Sequence, residues 1–282
     1  MVINLEGVPA EERRQRIGTA VEERGFVHVA HLAEEFGISR VTVRADLDSL
    51  ERRGRLRRVR GGALATHRGG PPASRAGGAV ESPFEEAMGA ARAEKAAIGR
   101  RAARLVGPGE SVILDAGTTT MAVARALVER ADLRDVVVFT NGLSIALELE
   151  RAIPRFTVVV TGGTLRPSQH SLVNPLGTGI LDGINADTLF LGCNGVHPRR
   201  GLTNLNLPEA ELKQAMLRSS ARCVVVADGS KVGRVELAPI CPLDQAELLV
   251  TGPSADSRST QDCRDAGLKV EVVEVAQVAQ GG

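Results

Sequence analysis

Tryptophan and tyrosine are absent from the 282-residue chain and phenylalanine occurs six times, so any core it builds must be aliphatic. The four cysteines (Cys193, Cys223, Cys241 and Cys263) are scattered without a CxxC spacing. That excludes a zinc ribbon and a disulfide framework, and predicts reduced, mostly packed thiols of a cytoplasmic protein. His28 and His31 stand three apart with no second ligand pair, so they read as ordinary histidines, and no metal site is expected. Long apolar runs and a signal-type hydrophobic segment are also missing, which predicts a cytoplasmic protein with no membrane partner. Lysine is scarce: of 35 basic residues only Lys95, Lys213, Lys231 and Lys269 are not arginine. In so arginine-biased a chain each lysine marks a place where a guanidinium would not fit.

What is present divides into two parts. A hydrophobic share of 43% supports a sizeable core, and the length suits one large domain or two. The net charge of +1 is silent, but its distribution is not. From Gly37 to Gly62 eight arginines face three acids, a local excess of five that suits a polyanion. Composition and periodicity predict a small helical unit at 1–64, a Gly/Pro/Ser-rich linker at 65–83 and an α/β domain at 84–276, with a tail at 277–282.

In the first unit, AEERRQRIGTAVEERG carries Ile17, Ala20 and Val21 on one helical face. A short FVHV follows, then a second helix, AHLAEEF. Gly37-Ile38 makes a turn, and Ser39 is a ready N-cap for a third helix from Arg40 to about Arg53. Within that helix Val43, Leu47 and Leu50 fall on the core side, while Ser39, Arg40, Thr42 and Arg44 project elsewhere near its N-terminal end. That is where a recognition helix presents base-reading side chains. Arg40 and Arg44 fit guanine as forks, and Thr42 suits a thymine methyl or a phosphate. Arg57, Arg58 and Arg60, on one predicted strand from Leu56 to Arg60, suit phosphate contacts.

These residues resemble the winged helix-turn-helix of the DeoR/GlpR family of bacterial regulators, whose pattern runs GVS..T.RRDL..L...G.L.R.HGGA. The match holds at Gly37, Ser39, Thr42, Arg44, Asp46, Leu47, Leu50, Gly54, Leu56, Arg58, Gly61, Gly62 and Ala63. It departs at Ala45, in place of a second arginine, and at Arg60, in place of histidine. The resemblance implies a double-stranded DNA operator as partner, and Asp46 reads as a residue that holds local structure.

From residue 84 the pattern changes. A single long helix over about 85–105 is predicted, followed by short Val/Leu/Ile runs alternating with helical segments. That is an α/β domain with a mostly parallel, buried sheet. The run SVIL ends in DAGTTT, where Asp115 precedes Gly117, Thr118, Thr119 and Thr120 at a helix start. Such a turn offers backbone amides and hydroxyls to an anion. Asp115 would repel a phosphate and is expected to accept from a sugar hydroxyl instead. Asn141, Gly163, Asn194, Gly195, Glu209, Lys213, Asp228 and Lys231 follow other strands or adjoin them, where α/β ligands gather.

The family resemblance extends to about residue 275. It implies a sensor domain for a phosphorylated sugar, similar in fold to ribose-5-phosphate isomerase and the coenzyme A transferases, in a homo-oligomer (dimer or tetramer). An enzyme of that fold carries an acidic DGADE-like loop, whereas here LGCNGVHPRRG puts Asn194 in place of an acid. Asparagine cannot cycle a proton at neutral pH, which leaves Glu209 without an acid/base partner. The expectation is a repressor of a carbohydrate catabolic operon, with no catalytic residue and no cofactor. The alternatives are an isomerase-like enzyme with an appended DNA-binding domain, or an activator responding to a non-sugar ligand.

Overall fold

The structure, a computed structural model, describes residues 8–24, 26–53, 56–59, 62–65, 82–173 and 177–275. The chain divides into two compact units, Met1–Val80 and Glu81–Gly282. Arg60, nearly all of the predicted linker and the tail lie outside the described residues.

In the first unit α1 (Ala10–Arg24) leads to β1 (Phe26–His28), α2 (Val29–Phe36) and α3 (Arg40–Arg52). Two more strands follow, β2 (Leu56–Val59) and β3 (Gly62–Ala65). The sheet order is β1-β3-β2, all antiparallel, so the single strand expected at the wing is one arm of a hairpin that also captures β1. Ile17 and Val21 of α1, Leu32 and Phe36 of α2, and Val43, Leu47 and Leu50 of α3 close one core. Burying each such aliphatic side chain contributes roughly 1.5–3 kcal/mol, which suffices to hold three short helices that would be marginal alone.

The second unit opens with α4 (Phe84–Gly89) and α5 (Arg92–Ala103), where the periodicity predicts one helix. The break comes at Ala91, whose φ of 50° and ψ of 35° lie in the left-handed region through which no right-handed helix continues. Lys95 Nζ donates to the carbonyl of Ala87 at 2.7 Å, satisfying one of the acceptors that the end of α4 releases.

There follow β4 (Ser111–Leu114), α6 (Thr118–Glu129), β5 (Val136–Thr140), α7 (Leu143–Leu149), β6 (Phe156–Val160), β7 (Thr164–Arg166) and β8 (Ser171–Val173). Next come α8 (Gly177–Leu181), β9 (Ala186–Leu191), β10 (Gly195–His197), β11 (Gly201–Asn204), α9 (Leu207–Arg218) and β12 (Ser220–Val226). The unit closes with β13 (Ala238–Cys241), β14 (Leu248–Thr251), α10 (Ser257–Asp265) and β15 (Lys269–Val272).

Seven strands form one parallel sheet in the order β15-β14-β12-β9-β4-β5-β6. Both faces are covered, as the continuous Val/Leu/Ile runs require. Val112 and Leu114 pack into one core with α5 and α6, while Ile113 between them packs into the other with α9. Phe156 and Phe190 are fully buried in an otherwise aliphatic interior.

Two smaller pieces lie outside the predicted pattern. One is the hairpin β7-β8, and the other is an antiparallel sheet ordered β10-β11-β13. Gly201 permits the latter: at φ 69° it comes so close to β13 that a Cβ there would stand 2.0 Å from the Cys241 carbonyl oxygen.

Candidate functional site

Two sets of residues carry chemistry, one in each unit. In the first, Ser39 caps α3 from an extended conformation, and its Oγ accepts from the Thr42 amide at 3.0 Å. The same Oγ lies 2.8 Å from Thr42 Oγ1, so the two hydroxyls expected at DNA are engaged with each other. Asp46 is only 1% exposed, under the helix. It accepts from Arg13 Nε at 2.5 Å and Arg14 Nε at 3.0 Å, which fixes α3 against α1 by charge-assisted hydrogen bonds.

Arg40 and Arg44 are exposed on the outer side. Arg58, expected to contact phosphate, instead donates from Nη1 to Asp48 and, at 3.3 Å, to the carbonyl of Arg44. Its backbone amide donates to Glu51 Oε1 at 2.6 Å. Arg58 therefore ties β2 to α3. The side chain of Arg57 and the whole of Arg60 lie outside the described residues.

In the second unit the order of the parallel sheet reverses direction at β4. Strands β5 and β6 extend to one side of it, and β9, β12, β14 and β15 to the other. Beyond the carboxyl ends of two such strands no crossover covers the sheet, which is where open α/β sheets bind ligands. Asp115 follows β4 and Gly192 follows β9, so both stand at this reversal. The Asp115 amide donates to Phe190 O at 3.2 Å, and its Oδ2 accepts from the Gly192 amide at 3.0 Å.

Lys213, reaching in from α9, donates from Nζ to Asp115 Oδ2 and, at 3.0 Å, to the Gly192 carbonyl. The lysine is 4% exposed and the aspartate 1%. Burial pushes the Asp115 carboxyl up to about 6 against the pull of Lys213. Burial also opposes the Lys213 ammonium, but Asp115 and Glu209 outweigh it and hold that pKa above the ordinary lysine value. Asp115 was expected to read a sugar hydroxyl and Lys213 to stand among the ligand groups, and the two are each other's partner. The pair forms the floor of the reversal.

Above that floor Gly117 caps α6, and Thr118 is half-buried at its first position. The first-turn amides of α6 are directed at the carboxyl end of the sheet. Thr119 and Thr120 are buried, and Thr120 Oγ1 donates to Gly117 O at 2.9 Å, so the third threonine stabilises the turn from within. Asn141, 2% exposed, accepts from the Ala116 amide at 2.8 Å and donates to Leu172 O at 3.0 Å. It braces the turn against β8 with both ends of its amide.

Glu209 gathers a network that sequence reasoning did not find. It accepts from Arg166 Nη1, from Ser171 Oγ at 3.0 Å and from Asn204 Nδ2 at 3.2 Å. Arg166 follows the Gly162-Gly163 pair, which was the only signal for it. Gly163, at φ 122°, has no room for a Cβ, which would meet Val173 O at 2.3 Å. Its role is to seat the β7-β8 hairpin.

Asn194 Oδ1 accepts from the Leu205 amide at 3.1 Å. A Cβ on Gly195 would meet Thr203 Oγ1 at 2.5 Å. These two hold together the open end of the β10-β11 hairpin, where the chain enters β10 and leaves β11. Asp228 caps a short turn by accepting from the Ser230 amide at 3.1 Å, and Lys231 ends that turn half-buried. Lys95 Nζ stands 4.0 Å from Asp228 Oδ2, and burial lowers its pKa with Asp228 offsetting only part. Glu94, also unanticipated, accepts from the Gly229 amide at 3.0 Å and Ser254 Oγ at 2.8 Å, anchoring the loop that carries Asp228. Among the described residues no cluster of acids, histidines and cysteines has a metal-binding arrangement. No helix there is long and apolar enough to cross a membrane.

Comparison with known proteins bears on both units. Residues 13–68 match the DeoR-like helix-turn-helix domain, and residues 90–253 match the DeoR C terminal sensor domain. The HTH-type transcriptional regulator GlpR of Haloferax volcanii is 34% identical over 263 residues, covering 93% of this chain and 97% of its own. The HTH-type transcriptional regulator GolR of Listeria innocua is 30% identical, covering 93% and 98% respectively. The transcriptional repressor AccR of Agrobacterium fabrum is 33% identical, over 86% and 89%. Among solved structures, ribose 5-phosphate isomerase A from Methanocaldococcus jannaschii aligns with 52% of this chain and 57% of its own. The identity there is 18% and the TM-score 0.39, a distant likeness that says nothing about chemistry.

Proposed function

This chain belongs to the DeoR family of DNA-binding transcriptional regulators, and we propose that it represses a carbohydrate catabolic operon until a phosphorylated sugar binds its sensor domain. The family is one of regulators, not enzymes. The observation that carries the sensor reading is the buried Asp115–Lys213 pair at the reversal of the sheet, beneath the start of α6.

In this reading the amides around Gly117 and Thr118 receive the phosphate, which a helix N-terminus favours by its dipole and its unpaired donors. Lys231 adds a point charge. Asp115 and Lys213 neutralise each other, so the floor does not repel the phosphate and its geometry stays fixed. Glu209, held by Arg166, Ser171 and Asn204, faces hydroxyls as an acceptor and not as a proton shuttle. Thr119, Thr120, Asn141, Gly163, Asn194, Gly195 and Asp228 set the walls.

On the DNA side Arg40 and Arg44 read bases, Arg57 and Arg60 contact phosphates, and Ser39, Thr42 and Arg58 hold the helix and wing in place. The protein acts in the cytoplasm as a homo-oligomer that spans two operator half-sites. Effector changes DNA affinity only as far as it binds the free and DNA-bound forms differently.

The test is a titration at fixed salt of the full-length protein on DNA from its own upstream region, with a panel of sugar phosphates and the matching free sugars. Release by one phosphate ester, and not by its free sugar, is expected. Tight binding indifferent to the whole panel would remove the phosphosugar sensor from the proposal.

A further inference from the structure

Among the described residues of the first unit, one large apolar side chain is exposed: Val41, at 72%. A single exposed valine needs no explanation by itself. Its position in α3 supplies one. With 3.6 residues per turn, Val41 falls on the side of the helix opposite Val43 and Leu50, which are buried in the core. It sits in the first turn, beside the cap. Ala45, one turn on, and Arg44 flank it, and both are exposed. Arg40 stands next to it in sequence, also exposed, and Arg52 continues the same face. The result is a small apolar spot, Val41 with Ala45, flanked by Arg40 and Arg44 in the first turn, with Asp48, which accepts from Arg58, on the same face two turns on.

The hydroxyl group nearest in sequence is unsuited to reading bases. Thr42 turns its Oγ1 to Ser39 Oγ at 2.8 Å, within the cap, and the residue is only half-exposed. For a thymine the half-exposed Thr42 therefore has only its methyl group left, whereas Val41 offers two methyl groups on a more exposed side chain. The major groove offers one apolar feature to a protein, the 5-methyl group of thymine, and small aliphatic side chains are what meet it. The surrounding guanidinium groups match the phosphates that border that groove.

We propose that Val41, supported by Ala45, is a specificity-determining residue that packs on the 5-methyl group of a thymine in each half-site, next to the base pair that Arg44 reads. The proposal rests on the reading of α3 as the recognition helix. It makes part of the sequence preference a matter of methyl burial rather than hydrogen bonding. Removing that methyl group from the DNA should cost what exposing one buried methyl group costs, about fourfold in affinity per half-site.

The experiment selects duplexes from a random pool with the full-length protein, then replaces each thymine of the selected half-site in turn by deoxyuridine, which lacks only the methyl group. Wild-type protein should lose about fourfold at one position per half-site. Val41→Ser should bind the thymine and uracil duplexes equally, while Val41→Thr, which keeps one methyl group, should retain part of the discrimination. Val41 lies outside the core, so these variants keep the packing of the unit, and circular dichroism of each checks it. If no uracil replacement distinguishes wild type from Val41→Ser, the proposal is wrong while the recognition helix stands. If Val41→Ser alters the oligomeric state and leaves the methyl dependence intact, Val41 belongs to a protein interface and the proposal is likewise wrong. If the protein selects no duplex at all, the DNA reading of α3 falls, and this assignment with it.

Discussion

Lys213 Nζ and Asp115 Oδ2, 98 positions apart in the chain, meet as a buried ion pair where the parallel sheet reverses. The Gly192 amide and carbonyl complete the arrangement, so neither charge is left without a partner. Breaking one side of such a pair leaves the other buried and unpaired, a cost of about 3–5 kcal/mol. Lys213→Met, which leaves the carboxylate buried and unpaired, should destabilise the protein by about that amount at neutral pH. Asp115→Asn, which puts a neutral amide where burial already pushes the carboxyl towards neutrality, should cost less. The double variant should recover much of the loss, because it removes both charges together. Urea unfolding of the four proteins checks this. Additive losses in the double variant would show that the two residues act separately.

The same pair gives a pH dependence with an unusual sign. Burial pushes the Asp115 carboxyl up to about 6 in the folded protein, above the ordinary aspartate value of 3.8. Between those two values the folded protein holds a proton that the unfolded chain does not. The contribution of this group to stability therefore grows as pH falls from about 6 towards 3.8, and it is constant above 6. Relative to Asp115→Asn, wild-type protein should gain stability on acidification across that window, by about 3 kcal/mol at most. Comparing urea midpoints at pH 4 and pH 8 measures it. A wild type that loses ground to the variant as pH drops would mean that Lys213 dominates and holds Asp115 below its ordinary value, and no difference at all would mean that Asp115 titrates as in the unfolded chain.

Asp115 was visible in the sequence as a polar residue at a strand end and Lys213 as one of only four lysines, but their meeting was not. Strand, glycine and threonines in series mark DAGTTT as a βα turn whatever surrounds it, because period and turn chemistry are local. A contact between the end of β4 and the middle of α9 crosses several elements and leaves no periodic trace. Asn141 and Asn194 illustrate the same limit. An asparagine after a strand looks identical whether it faces a ligand or, as here, hydrogen-bonds backbone groups at 2.8 Å and 3.1 Å. The split of the predicted helix left one signal, Gly89 at the end of α4, but the residue that takes the left-handed conformation is Ala91, and an alanine there gives no warning. The β10-β11-β13 sheet was hidden because two of its strands span only three and four residues. The helix-turn-helix was the most legible part, since its apolar spacing, its Ser39 cap and its arginines all lie within one short stretch.

Within that stretch two charged residues should separate cleanly. Arg44 is exposed and Asp46 is buried beneath Arg13 and Arg14. Arg44→Ala should weaken operator binding by about 1–3 kcal/mol, the worth of a forked contact to guanine, with an unchanged melting temperature. Asp46→Ala should instead lower the stability of the first unit by about 3 kcal/mol, because two guanidinium groups lose their shared carboxylate. Its loss of DNA binding would follow the loss of fold. Anisotropy with labelled operator, read beside thermal unfolding, distinguishes the two. Arg44→Ala unfolding with Asp46→Ala unaffected would reverse the assignment of surface and core.

A glycine inside a helix offers a case where local and tertiary preferences disagree in sign. Gly99 lies within α5, where alanine would be favoured by about 1 kcal/mol on helix propensity. Yet α5 crosses α6 so closely at this point that a Cβ would stand 2.4 Å from the Ala122 carbonyl oxygen and 2.9 Å from the Val123 amide nitrogen. Both neighbours are helix backbone and cannot rotate away as a side chain does. Forcing the helices apart costs about 1–3 kcal/mol, which exceeds the propensity gain over most of its range. Gly99→Ala is therefore expected to lower the melting temperature. Because α6 carries the Gly117–Thr118 turn at its start, the same displacement should weaken release from DNA by the effector. A variant that melts higher than wild type would mean that α5 and α6 part at little cost, and that their close crossing does not fix the turn.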